Sequence, residues 1–205
     1  MGYGAELHRQ SAVDRVRCGR PPAARTGMEL HAMAVEFPSV HGHPNRLPFE
    51  GVLTLVDVAS DRAPSGARGH RVVLTRPAAE AALPSLMGMA VDYKAGWDGH
   101  DARQKCGIIT SAELEGRQLR VAGYLFSRDF PEIEQKLTID GTMGMSYELA
   151  DAHVADMRAQ VWTLTRATFT GAAILLRDKA AYRETSFRLR RPAERAAGHA
   201  MQVRA

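Results

Sequence analysis

Hydrophobic and polar positions alternate with period two through most of the middle of this chain. In residues 142–153, Thr-Met-Gly-Met-Ser-Tyr-Glu-Leu-Ala-Asp-Ala-His, one side carries Met143, Met145, Tyr147 and Leu149. The other carries Gly144, Ser146, Glu148 and Ala150. That period predicts a strand with one face on a core and Ser146 on the less apolar face. Gly144 beside it has no side chain, which would let another strand or a substrate backbone come close.

The same pattern predicts strands over 50–58, 70–75, 86–93, 161–169 and 171–176, and a short one over 33–37. Residues 106–114 and 118–126 alternate on either side of Glu115-Gly116-Arg117, the sequence form of a β-hairpin. Two segments depart from period two. Thr75-Arg76-Pro77 opens an Ala-rich helix that ends near Pro84, with Thr75 as cap and proline at the start. Residues 130–138 read as a second helix, with Asp129 as N-cap, Glu132 three residues on, and Ile133 and Leu137 forming an i, i+4 apolar pair. About seven strands with two inserted helices, and no regular βαβ alternation, predict a mainly β (β-rich α+β) chain: a mostly antiparallel barrel or sandwich. Periodicity is weak before 48 and, with a growing share of arginine, after 176. The expected division is a flexible N-terminal arm over 1–47, one domain over 48–187, and a basic tail or linker over 188–205.

Composition changes this picture little. At 205 residues and 45% hydrophobic the chain can bury a core without staples. Aromatics are only 6%, so aliphatic residues and Met must fill that core. The net charge of +4 is mild, and its basic residues gather near the two ends, the usual form of a solvated tail; nucleic acid is not expected as a partner. Cys18 and Cys106 have no CxxC neighbour, which excludes zinc ribbons and thioredoxin-like motifs. No secretory segment or membrane-length apolar run is present, so the expected setting is cytosolic, with free thiols and no membrane partner.

The candidate chemistry lies in two places. Ser146 could be a nucleophile if a base reaches it. Trp97-Asp98-Gly99-His100-Asp101 offers that base, because His100 sits in a glycine-flanked turn of the kind that carries function on a rigid scaffold. Asp98, His100 and Asp101, with Asp151 or His153, could instead hold a divalent ion, and so could His41 and His43. Against both stands the commoner case: an outward serine on a strand, and an Asp-rich turn bonded to its own backbone. Trp97 and Trp162 are expected to pack.

In order, these segments resemble the prohead (capsid maturation) proteases of tailed phages. The resemblance rests on Met89-Ala90-Val91-Asp92-Tyr93, Gly99-His100-Asp101, Gly107-Ile108-Ile109, Val121-Ala122-Gly123-Tyr124-Leu125 and Gly144-Met145-Ser146-Tyr147, across about residues 48–176. It implies a herpesvirus-protease-like antiparallel β-barrel with inserted helices. It implies a serine endopeptidase with His100 and Ser146 as catalytic residues and no cofactor or metal. Phage scaffold and major capsid proteins would be the substrates, inside the assembling prohead in the bacterial cytoplasm, and self-association is expected. One departure stands out. The family commonly has a Glu in a later strand, where this chain has Leu164-Thr165-Arg166-Ala167-Thr168-Phe169. The group orienting His100 would then be Asp101, Glu148, His153 or Thr168, or be absent; Arg166 could help at the oxyanion site. The absence of that Glu also motivates an alternative: a non-catalytic capsid-assembly or scaffold component that keeps the fold.

Overall fold

The computed structural model describes residues 32–38 and 42–190. Cys18, His41 and most of the terminal arginines lie outside these residues. Among the described residues nine strands form one sheet: β1 Ala32–Ala34, β2 Leu47–Leu55, β3 Arg71–Leu74, β4 Ala90–Tyr93, β5 Lys105–Glu115, β6 Gln118–Leu125, β7 Gly144–Val154, β8 Val161–Leu175 and β9 Ser186–Leu189. Two α-helices interrupt them, α1 Arg76–Ala82 and α2 Pro131–Asp140. No helix among the described residues is long and apolar enough to cross a membrane.

The mainly β expectation holds. The closed antiparallel barrel does not. The sheet runs β3-β8-β4-β5-β6-β2-β9, with β7 on β8 and β1 on β5. It is mixed, because β3 and β4 both pair parallel with β8. The physical reason is the length of β8. Two apolar runs expected as separate strands form one strand of 15 residues, long enough for β3 to occupy 161–164 and β4 to occupy 172–174 along it. The sheet does not close. β9 has only four residues and forms one isolated bridge, Phe187 with Met143, just before β7 begins.

Local sequence explains most of these elements. The β5–β6 hairpin forms as expected, with Ile108 opposite Tyr124 and Gly116 in the left-handed region at its turn. Gly123 is where the hairpin needs glycine for contact: a Cβ there would lie 1.9 Å from the Ile108 carbonyl oxygen. Thr75 caps α1, its side chain accepting from the Ala78 N–H. The Asp129 cap on α2 is not used. Phe130 occupies the N-cap without a side-chain bond, and Asp129 instead accepts from the Asn45 side-chain amide at 2.7 Å. Pro131 then supplies the helix start on its own. The strand expected over 86–93 begins only at Ala90, since Leu83–Leu86 forms a 3-10 turn and Gly88 takes a positive φ.

The core takes Met145 from β7, Met143 just before it, and Phe49 and Leu53 from β2. Ile109, Leu119 and Leu125 come from the hairpin, and Ile133 from α2. Each such side chain, fully buried, contributes about 1.5–3 kcal/mol before ordering costs. Two further segments join the structure. The short strand expected over 33–37 forms as β1, three residues long, and pairs with the far end of β5. Residues 177–190 bring Tyr182 and Phe187 into the interior; Phe187 packs at 4.8 Å against Phe49, and the Tyr182 hydroxyl has the carbonyls of Val58 and Val72 within reach of its one proton. Single aromatic residues separated by turns carry no period, so the pattern could not show them.

Candidate active site

The registers of four adjacent strands set one row of residues side by side. Lys105 on β5 is the partner of Asp92 on β4, Asp92 of Ala173 on β8, and Ala173 of Ser146 on β7. Partners in a sheet project from the same face, so these four side chains leave the sheet together. That places the Cα atoms of Asp92 and Ser146 about 10 Å apart, two strand spacings. Ala173 lies between them, fully buried. Two residues along β7, Glu148 pairs with Gly171, and a Cβ at Gly171 would lie 2.6 Å from the Glu148 carboxylate. The missing side chain therefore lets Glu148 lean across β8.

From the β4–β5 loop His100 reaches the Asp92 end of this row and, on β7, Glu148. The loop is pinned at both ends. Trp97, at φ 55°, stacks on Tyr93 at 4.8 Å, and its carbonyl accepts from the Leu176 N–H at the end of β8. Asp101 accepts from the Arg103 backbone and guanidinium at 3.0–3.1 Å. The hydrogen bonds to Arg103 hold the Asp101 carboxyl down at about 2. Tyr93 donates to Glu132 of α2, and burial first, then that bond, push its phenol above the ordinary tyrosine range. The loop thus rests on packed neighbours and presents His100 with its side chain 17% exposed.

The His100 Nδ1 lies 3.3 Å from Asp92 Oδ1 and 4.0 Å from Glu148 Oε1. The Asp92 side chain is 1% exposed, and its other oxygen accepts from the Lys105 ammonium at 2.8 Å. Asp92 Oδ1 and both ring nitrogens of His100 are buried without an aligned hydrogen bond. Buried polar atoms in native folds are nearly always bonded, so orphans brought together in this way call for an explanation. In this structure the Ser146 hydroxyl is therefore not bonded to His100 Nε2, although the register puts both over one face. A groove of 610 Å³ opens beside them. His100 and Glu148 share its wall with Leu149, Val154, Met157 and Trp162.

The other residues singled out from sequence distribute differently. Asp101 is engaged by Arg103, and Asp98 pairs with Lys94 at 3.0 Å. Both carboxylates of the turn are thus held by cations, and among the described residues no three His, Cys, Asp or Glu side chains form a group that could hold a metal ion. His43 accepts from the Asn45 N–H. His153 contacts the Thr165 hydroxyl at 2.7 Å and pairs with Arg166 in the ladder; Thr168 pairs with Ala150. Arg166 and Thr168 stand seven and five residues from Ala173 on β8, about 23 Å and 16 Å at strand rise. Neither reaches the row. Of the four groups considered for orienting His100, Glu148 alone comes near it. Gly144 does not leave Ser146 open to a substrate backbone either: a Cβ there would meet Arg177, Ala180 and Thr185 at 3.1–3.3 Å, so the chain's own 177–185 segment fills that approach.

Asp92 was the residue that pattern reading passed over. Its signal was present. It is a lone carboxylate inside the apolar run Met89–Tyr93, and a charge on a buried strand needs a partner. Lys105 and His100 are those partners.

No protein-family model matches the chain, and no curated protein does. Among solved structures, the KSHV protease in complex with a hexapeptide phosphonate inhibitor is similar, with a TM-score of 0.42 and 11% sequence identity. The similarity covers 72% of this chain and 66% of that one, just under two thirds of the protease.

Proposed function

We propose that this protein is a serine endopeptidase that cleaves scaffold and capsid proteins during phage prohead maturation. The observation that carries the reading is the row Asp92-Ala173-Ser146 with His100 at its Asp92 end: a hydroxyl, an imidazole and a buried carboxylate on one sheet face. The chain order, His100 before Ser146, follows the resemblance to the prohead proteases. In the reaction, Ser146 Oγ attacks the scissile carbonyl carbon while His100 Nε2 takes the hydroxyl proton. The tetrahedral intermediate collapses, the proton passes from His100 to the leaving amine, and an acyl-enzyme remains. Water, deprotonated by the same imidazole, then releases the acid and regenerates Ser146. No cofactor is needed for any step. A peptidase that meets its substrates inside a shell works at high local concentration, so modest catalysis suffices. Self-association and a site of action within the assembling prohead belong to the same reading.

The test is co-expression with the cognate scaffold and capsid proteins, followed by mass spectrometry. Wild-type protein is expected to cleave them, and Ser146→Ala and His100→Ala to leave them intact while keeping the wild-type circular dichroism spectrum. Cleavage by Ser146→Ala at the wild-type rate would sink the mechanism. One observation favours a second reading, a non-catalytic capsid-assembly component: the Ser146 hydroxyl is not bonded to His100. Failure of the wild-type protein to react with a serine-directed phosphonate, with cognate substrates uncut, would select it.

A further inference from the structure

We propose that Asp92 is the positioning residue for His100 and that Lys105 holds Asp92 for that task. The carboxylate that serves the imidazole then sits on β4, two strands from the serine. This rests on the peptidase reading above and names the residue that completes it.

The argument begins with burial. A carboxylate that is 1% exposed is costly to hold unless its oxygens are satisfied. Lys105 satisfies one oxygen at 2.8 Å. The other, Oδ1, is buried, and its nearest cationic or potentially cationic group is His100 Nδ1 at 3.3 Å. A pair serving stability alone has no reason to aim an open, water-excluded oxygen at an imidazole. An Nδ1–H donated to that oxygen fixes the tautomer that leaves the Nε2 lone pair free, and Nε2 must be free to take a proton from Ser146. The row supplies the reach. Ala173 carries only a methyl between Asp92 and Ser146, so the ring can arch across β8 from one to the other.

The charged groups around His100 are few. Asp92 faces it from β4, with Lys105 of β5 behind, and Glu148 faces it from β7. Arg68 shares the groove wall. Asp98 and Asp101 of its own loop are paired with Lys94 and Arg103. Opposite it, β8 presents only Gly171 and Ala173. Glu148 is the rival for the role. It lies at 4.0 Å with its side chain 54% exposed, so solvent and salt weaken its hold on the ring. Asp92 is closer, buried and held by a second bond.

The experiment compares wild type, Asp92→Asn, Lys105→Met and Glu148→Gln as full-length protein. Nitrogen-15 spectra of the His100 ring read the tautomer directly, with or without substrate. Wild type and Glu148→Gln are expected to carry the proton on Nδ1, and Asp92→Asn to lose that preference. In cleavage assays Asp92→Asn should lower kcat by about 10²-fold or more with little change in KM. The acid limb of the pH profile should move to lower pH in Asp92→Asn, which loses an anion beside the imidazole. It should move to higher pH in Lys105→Met, which loses a cation. Opposite shifts show that both charges are felt at the imidazole, and the tautomer then separates positioning from a merely structural pair. An unchanged His100 tautomer in Asp92→Asn overturns the proposal whatever the activity. If that variant does not fold, an acid limb unmoved or lowered in Lys105→Met overturns it instead. A wild-type protein that cuts nothing and ignores the phosphonate, with a tautomer still governed by Asp92, overturns the peptidase reading and leaves the pairing standing.

Discussion

Asp92 and Ser146 are partners of the same residue, Ala173, one on each side of β8. No turn or motif joins them; the sheet register does. This makes the identity of the middle residue a condition of the site. Ala173→Val adds two methyl groups between Asp92 and Ser146, where the chain is fully buried. The expected result is a cost of about 1–3 kcal/mol from overpacking, read by urea denaturation, and loss of cleavage even where the fold survives. Cleavage at the wild-type rate would mean that the ring does not cross β8 above this residue.

Gly123 sets a condition of another kind. A Cβ there would sit 1.9 Å from the Ile108 carbonyl oxygen and 3.0 Å from the Phe49 ring. Backbone in the middle of a sheet cannot move aside as a flexible side chain can. Gly123→Ala is expected to cost about 3 kcal/mol or more and to lower the yield of soluble protein sharply, whereas alanine at Gly66, which has open space, is expected to be tolerated.

Cys106 is buried, donates to the Val91 carbonyl at 3.3 Å, and has its thiol pushed up to about 12, chiefly by burial. The thiolate is the reactive form. In a Cys18→Ser background the folded protein should therefore resist a disulfide reagent at pH 8 and take up one equivalent once denatured. Rapid labelling of the folded protein would show that β4 and β5 open readily next to Asp92.

Asp101 offers a pH test of the loop that carries His100. Its hydrogen bonds with Arg103 hold the carboxyl at about 2, against about 3.9 for a free aspartate. A depressed carboxyl contributes to the folded state above the unfolded value, and that contribution is lost as pH falls from about 4 through 2. The pair is at the surface, so the effect on global stability is small. The clear readout is a carboxyl titration of Asp101 by carbon-13 spectroscopy, expected near 2 and returning toward the ordinary value in Arg103→Ala.

The strands with clean alternation were legible in the sequence: the hairpin about Gly116, the two faces of β7, and the cap at Thr75. These depend on neighbours along the chain. What could not be read was which strands become neighbours across it. β8 reads as two runs because Thr170-Gly171 breaks the apolar pattern, and its fusion into one strand is what makes the sheet mixed. Ser146 and His100 were legible as residue types in suitable settings. Asp92 was not, because its role follows from lying beside Ala173 and opposite Lys105, which is a fact of register. Tyr182 and Phe187 were missed for a related reason: each fills a hole made by other segments and leaves no period of its own.

The double use of one edge of β8 also orders events during synthesis. β3 and β4 are complete by residue 93, yet their shared partner spans Val161–Leu175. Contacts so distant in sequence form late, after the loop between them has been closed. Until the ribosome has released that segment, β4 has β5 on one side and no strand on the other, and Asp92 and Ser146 stand apart. The row that joins Asp92 to Ser146 is thus expected to assemble only when nearly the whole domain has emerged.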